Sequence, residues 1–534
     1  MLRHRPCLPV ILGALIVGTA ATASAATYQV GPGQTYATIQ ETIALLAPGD
    51  VVEVQGDHTY PGDLWFRQDQ SGAPGNPVTV RGIPVNGKLP IIQGVGTEQW
   101  HDMIVLLNAS HFVFENFEIV GDANPDHGGL VHKADDVTVR NVIVHGVGGQ
   151  GLLGTDSDSG SMTLEACEFY NNGNGMYNHQ VYMATDETMY PGSIFRMQYC
   201  YIHDGAGGNN VKSRSERNEI YYNWIEGAFY HELDLIGPDG QDANLAREDS
   251  DVVGNVLIKH SEWRIARIGG DGTGNTSGRY RFVNNTMVLG DASNVAIGLQ
   301  QTVETVEMHN NVVVRVGGGG AQLWNISEQE GPDPVFFGSH NWIQDGITSI
   351  PASFTGTLNG ADPGFINLAG FDVRLAAGAP LIDQGASATS IATPAFVNPL
   401  ALPTQVPPSR ALGSHGPRPA DSAIDIGAFE YGTGSVGGSG PGGSGGASGA
   451  GGGGPAGSGG TSAAGGSGGA GASAGAAGSG AKGGASGAAG NGAAAPSSDD
   501  SGGCGCRTQS TAPASPAWLL LVGALAMLRR RRRA

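Results

Sequence analysis

The stretch Gly207–Gly227 reads GGNNVKSRSERNEIYYNWIEG and sets Lys212, Arg214 and Arg217 within six residues. Between residues 26 and 431 the only lysines are Lys88, Lys133, Lys212 and Lys259, so a basic cluster here is unusual. In NNVKSR, Val211 and Ser213 share one parity, and Asn210, Lys212 and Arg214 share the other. Twenty-two residues after Lys212, HELDLIG repeats the pattern with Leu233 and Leu235 against Glu232 and Asp234. A lysine flanked by cations loses its proton readily and can serve as a base. Arginines neutralise a carboxylate, and paired acids hold Ca²⁺. Together these groups fit removal of a proton beside a carboxylate, with positive charge on the resulting enolate and an acid for the leaving oxygen.

Neighbouring stretches extend the set. NHQVYM offers Gln180 and Tyr182 with His179 at its edge, and EWRIARIGG offers Arg264 and Arg267, whose facing the parity leaves open. The expected catalytic groups are Lys212, Arg214, Arg264 and His179. Asn210, Tyr182, His231 and Arg267 are expected to bind substrate, with His203 a further flanking histidine. Glu232 and Asp234 are the candidate Ca²⁺ ligands. Hydrolysis is an alternative chemistry and needs clustered acids, either Glu232 with Asp234 or Asp135 with Asp136 in ADDVTVRN, where a turn is the simpler reading. A third reading is a non-catalytic adhesin or carbohydrate-binding surface protein, and the patch itself can be read as an outward ladder of ion pairs with Lys212 between Glu232 and Asp234, each pair contributing little.

The element that would position these groups is a repeat. FENFEIVG, VRNVIVHG, LEACEFYN, MQYCYIHD, YYNWIEG, VGNVLIKH, VNNTMVLG, HNNVVVRV and SHNWIQDG align on Asn116, Asn141, Ala166, Tyr199, Asn223, Asn255, Asn285, Asn311 and Asn341. The spacing runs from 24 to 33 residues, and seven of the nine anchors are Asn, a residue that tolerates a left-handed turn. The residue after each anchor is usually apolar, as at Phe117, Val142, Cys167, Cys200, Trp224, Val256, Val312 and Trp342, and is expected to face inward. Units of two or three short strands cannot bury their own faces and must stack, about 4.8 Å apart. The spacing thus predicts an all-β, single-stranded right-handed parallel β-helix over residues 26–431. Val211 and Trp224 are expected to point inward. Cys167 and Cys200 fall in one inward slot of consecutive coils, close enough for a disulfide or for two stacked thiols.

The ends read differently. Residues 1–25 carry Arg3 and Arg5, an apolar run from Leu8 to Val17, and Ala23 and Ala25, the layout of a cleaved export signal. Residues 432–503 are almost entirely Gly, Ser and Ala, a flexible linker spanning roughly 45 Å. Residues 504–534 hold Cys504 and Cys506, a short apolar helix from Pro516 to Leu528, and Arg529 to Arg533. Without the terminal charges, 19 basic and 46 acidic residues remain, a formal −27. Such a chain will not bind nucleic acid non-specifically, and an acidic polymer would need a local basic patch or bridging Ca²⁺.

Three resemblances follow from these residues. TYATIQETIALLAPGDVVEVQGDHTY, with an amphipathic capping helix over about Tyr36 to Leu46, and the exit DPGFINLAGFDVRLAAGAPLIDQGA…AIDIGAFEY resemble the pectate-lyase-like β-helix superfamily over roughly Thr27 to Tyr431. Lys212, Ser213, Asn218 and Asn223 resemble the lysine-bearing coil of alginate and chondroitin lyases of the β-helix type. That resemblance implies a lysine base acting on an acidic polysaccharide. The family's arginine in the next coil is replaced here by Leu233 and Asp234, and its acid pair before the lysine by GAGGNN. The C-terminal segment resembles the myxobacterial sorting tail, which implies export, contact with sorting machinery and retention at the outer surface; a plain membrane anchor is the alternative. The chain is expected to be a monomer that touches the membrane only through this tail.

Overall fold

The computed structural model describes residues 25–97, 102–237, 248–271, 276–300, 302–318, 320–328, 332–389, 400, 402–419 and 423–433. The expected export signal at 1–25, apart from its last residue, the Gly/Ser/Ala segment from 434 and the tail at 504–534 lie outside them. Among the described residues, no helix is long and apolar enough to cross a membrane.

Strands from successive coils pair in parallel, each with the coil before and after it. A long sheet of 23 strands and a second sheet of ten strands enclose one apolar column. Stacked parallel strands with short connections form a right-handed coil, the hand that twisted strands favour. Val, Ile, Leu and Phe at alternate strand positions fill the interior, as Phe112, Phe114, Phe117 and Ile119 do in the strand Phe112–Val120.

The long sheet bends at residues in the left-handed region. In the early coils these are the anchors themselves: Asn116 (φ 66°), Asn141 (φ 50°), Ala166 (φ 50°) and Tyr199 (φ 60°). From Tyr222 (φ 56°) onward the bend falls one residue earlier, at Gly254, Asn284, Asn310 and His340. Asn223, Asn255, Asn285, Asn311 and Asn341 then turn inward as a fully buried ladder. Each Oδ1 from Asn255 on accepts the backbone N–H and the Nδ2 of the Asn one coil earlier, at 2.8–3.0 Å. Each Nδ2 also donates to a buried carbonyl, such as Val252 O from Asn285 at 2.8 Å.

This one-residue shift corrects the inward placing of four residues. Tyr201 pairs with Trp224, so Asn223 stacks on Cys200, whose N–H donates to Asn223 Oδ1 at 2.9 Å. Trp224, Val256, Val312 and Trp342 therefore face outward rather than in, because a slip of one residue exchanges the two faces of a strand. They stay buried under a second apolar cluster that includes Leu381, Ile426, Ala428 and Phe429 of the C-terminal segment. Cys167 and Cys200 do share one inward column, as free thiols, with Cys167 N–H 3.4 Å from Cys200 Sγ. The capping helix is also shorter than expected, one turn at Gln40–Ile43. Tyr36 instead bridges to Val30 on the first strand, which holds that end of the segment extended.

Removing one rung of the ladder strands several buried groups at once. Asn285→Leu is expected to lower stability by about 2–4 kcal/mol, since Asn255 and the Val252 carbonyl lose their partners. A urea midpoint equal to that of the wild type would remove the ladder from the account of stability.

Candidate functional site

On the outer face of the ten-stranded sheet, register places one residue per coil in a single row. It runs Trp65, Leu106, Val131, Leu153, Tyr182, Lys212, Asp234, Arg267, Gly298 and Asn325. Lys212 and Asp234 are thus direct neighbours, as their interval predicts. The row is apolar in its early coils and charged from Lys212 to Arg267.

Lys212 comes from the strand Val211–Arg214 and is 6% exposed, its Nζ 4.9 Å from the centre of the Tyr182 ring. Its Nζ makes no hydrogen bond or ion pair among the described residues. Burial, and next the Arg214 charge, hold its pKa below the ordinary lysine value. Asp234 is fully buried and grips Arg267 through two bonds, Nε to Oδ1 at 2.6 Å and Nη2 to Oδ2 at 2.8 Å. Burial alone would raise the Asp234 carboxyl, but the Arg267 guanidinium outweighs it and keeps the group ionised. Asn209 Nδ2 adds a bond to Asp234 Oδ2 at 2.9 Å.

Arg214 is held from several sides. Its Nη2 pairs with Asp271 Oδ2 at 2.5 Å, its Nη1 donates to Gly237 O at 2.5 Å, and its Nε donates to the Tyr182 hydroxyl at 3.1 Å. Arg264, from the loop before the strand Ala266–Gly269, crosses Gly298 and donates from Nε to Asn325 Oδ1 at 3.1 Å. A Cβ at Gly298 would lie 2.3 Å from Arg264 Cδ, so only glycine lets that arginine cross the row. Both arginines left open by parity, Arg264 and Arg267, thus reach the same face.

The two histidines at the edge are neutral. His179 Nδ1 accepts the Asn209 N–H at 2.9 Å, and burial holds the ring well below its ordinary pKa. His231, edge-on to Trp263, is pushed down to about 3 by burial and then by Arg267. Trp263 in turn stacks on Tyr230 at 4.2 Å, giving the row an aromatic border.

Other expected members lie elsewhere. Asn210 and Glu232 do not face outward with Lys212. They precede the strands Val211–Arg214 and Leu233–Ile236, where the chain is still turning and alternation does not apply. Asn210 Nδ2 donates to Glu232 Oε2 at 2.6 Å, and Glu232 Oε1 lies 3.3 Å from the buried Lys259 Nζ. His203 belongs to the long sheet, between Glu168 (3.0 Å) and Asp204 (2.8 Å). Asp135 and Asp136 make a turn: Asp135 Oδ1 accepts the Ser161 N–H, and Asp136 has φ 55°. Glu232 and Asp234 do not fit a shared Ca²⁺ site, since their oxygens serve Asn210, Lys259, Arg267 and Asn209 on opposite sides of the turn. Among the described residues, no group of three His, Cys, Asp or Glu side chains is arranged to hold a metal ion.

The sequence reading missed Asp271 and Asn209, which orient Arg214 and Asp234. It also missed the early half of the row, where Trp65, Leu106, Val131 and Leu153 floor a groove of about 460 Å³ edged by His127, Lys133, Gln150 and Asn178. Their outward apolar side chains were the available signal. A larger hollow of about 640 Å³ near Asp57, Lys88 and Glu118 lies on the long sheet and contains none of these residues.

No family model matches the chain, and no curated protein does. Among solved structures, the pectate lyase Pel9A is similar at 15% identity and TM-score 0.52, over 76% of this chain and 97% of its own. A complex of XylC with xylose (9% identity, TM-score 0.38) covers 63% of this chain and 86% of its own. A PL6 family polysaccharide lyase from Pseudopedobacter saltans (12%, TM-score 0.32) covers 60% and 89%. At these identities the likeness is one of fold: the chain has a right-handed parallel β-helix architecture similar to that of Pel9A.

Proposed function

We propose that the protein acts on a polysaccharide, as a lyase that cleaves a uronate-containing chain by β-elimination at Lys212. The observation that carries this reading is the state of Lys212: buried, held below its ordinary pKa, without an ion-pair partner among the described residues, and one coil from the Asp234–Arg267 pair. A pectate lyase of the same architecture, Pel9A, supports the substrate class. In this reading Lys212 Nζ takes the proton from the carbon beside the uronate carboxylate. The electron pair left behind forms the double bond as the glycosidic oxygen departs. Arg267, fixed by Asp234, faces the carboxylate while negative charge builds on it. The Tyr182 hydroxyl, bonded by Arg214, supplies the proton to the leaving oxygen. The groove from Leu153 to Trp65 holds the sugars on one side of the cleavage point. The terminal segments export the protein and keep it at the cell surface.

The test is a screen of the purified full chain against pectate, alginate and glycosaminoglycans, with and without Ca²⁺. Ultraviolet absorbance of an unsaturated uronate product is the expected result. Reducing ends without that absorbance would mean hydrolysis, and neither signal on any acidic glycan would leave a binding protein.

A further inference from the structure

Beside Arg214, which ends a strand in the middle of the ten-stranded sheet, three buried carboxylate oxygens have no hydrogen-bond partner among the described residues: Oε1 and Oε2 of Glu187 and Oε1 of Glu248. Glu187 is 4% exposed and Glu248 2%. Glu187 sits in the turn after the strand Val181–Ala184, and Glu248 sits immediately before the strand Asp249–Val253. The residues whose charges or hydrogen bonds reach them are Glu216, Asp271, Thr276 and Arg214. Arg214 is the one cation in that group, and Asp271 and the Gly237 carbonyl already engage it.

Four other buried acids are matched with a cation: Asp234 with Arg267, Asp251 with Arg281, Glu430 with Arg418 and Glu232 with Lys259; Glu307 meets His309 through Oε1 and leaves only Oε2 unpartnered. Two buried carboxylates left together need either a proton or a cation, because desolvation and mutual repulsion both oppose their charge. We propose that Glu187 and Glu248 are the carboxylate ligands of a site for a hard divalent cation of the Ca²⁺ class. Such a cation takes carboxylate, carbonyl, hydroxyl and water oxygens in flexible number, so two acids can hold it with water completing its shell. It would cancel the excess negative charge around Arg214 and tie separate coils together. Burial, with Glu216 next, pushes the Glu187 carboxyl up to about 7, the behaviour of an acid waiting for a counter-charge. The site is distinct from Glu232 and Asp234 and does not depend on the role of Lys212.

The experiment is calorimetric titration of chelator-treated full-length protein with CaCl₂ at pH 8, alongside Glu187→Gln and Glu248→Gln. Wild type is expected to bind and to gain melting temperature on binding. Each variant should bind at least about tenfold more weakly, the loss that follows removal of a ligand or its support. Both variants should fold, since Gln relieves the repulsion, and without calcium each should melt above the wild type. No binding by the wild type, or unchanged binding by both variants, would overturn the proposal. So would a melting temperature that rises from pH 8 to pH 6 with no response to Ca²⁺, because a shared proton would then neutralise the pair.

Discussion

If the protein is the proposed lyase, Lys212→Ala is expected to abolish formation of the unsaturated product while the melting temperature stays within about 2 °C of wild type. Removal of a positioned base lowers the rate by about 10²–10⁴-fold, and here no second lysine stands in the row to replace it. Stability is largely spared because Lys212 Nζ has no hydrogen bond or ion pair among the described residues to lose, and removing the ammonium relieves its desolvation. Lys212→Arg should be equally inactive, since a guanidinium keeps its proton. The pH profile gives a further check. Burial and Arg214 favour the neutral amine, so the rate climbs with pH through a lowered lysine pKa and levels off above it. Product formation by Lys212→Ala above about a tenth of the wild-type rate would sink the assignment of this lysine as the base.

The sequence made the Lys212–Asp234 contact legible because both lie inside strands, where a 22-residue interval is one coil and parity fixes the face. The same parity failed at Asn210 and Glu232, which stand just before those strands begin. It failed again at Trp224, because the left-handed bend moves from the anchor at Tyr199 to the residue before it at Tyr222. Asn suits both the bend and the buried ladder, so its recurrence could not reveal which role it played. The Asp234–Arg267 pair was visible only as two separate candidates, one for metal and one for substrate. Asp271 had no signal, since its partner Arg214 lies 57 residues away and no repeat links them.

Lys259 gives the contrast that isolates what is special about Lys212. It is fully buried, donates to Ala228 O at 2.7 Å and stands 3.3 Å from Glu232 Oε1. Burial lowers the Lys259 pKa and raises that of Glu232, so each depends on the other to keep its charge. Glu232→Ala therefore strands an ammonium in the interior and also removes one of the two acceptors of Asn210 Nδ2 and the partner of the Ala228 N–H. The expected loss is about 3–5 kcal/mol, far more than for Lys212→Ala. Pairing Glu232→Leu with Lys259→Met should recover much of it, because apolar groups of similar size can replace a buried pair at little net cost. Denaturant unfolding of the three proteins decides the matter. If Glu232→Ala unfolds no earlier than Lys212→Ala, then Lys259 is not held as an ion pair, and the division between one structural and one reactive buried lysine fails.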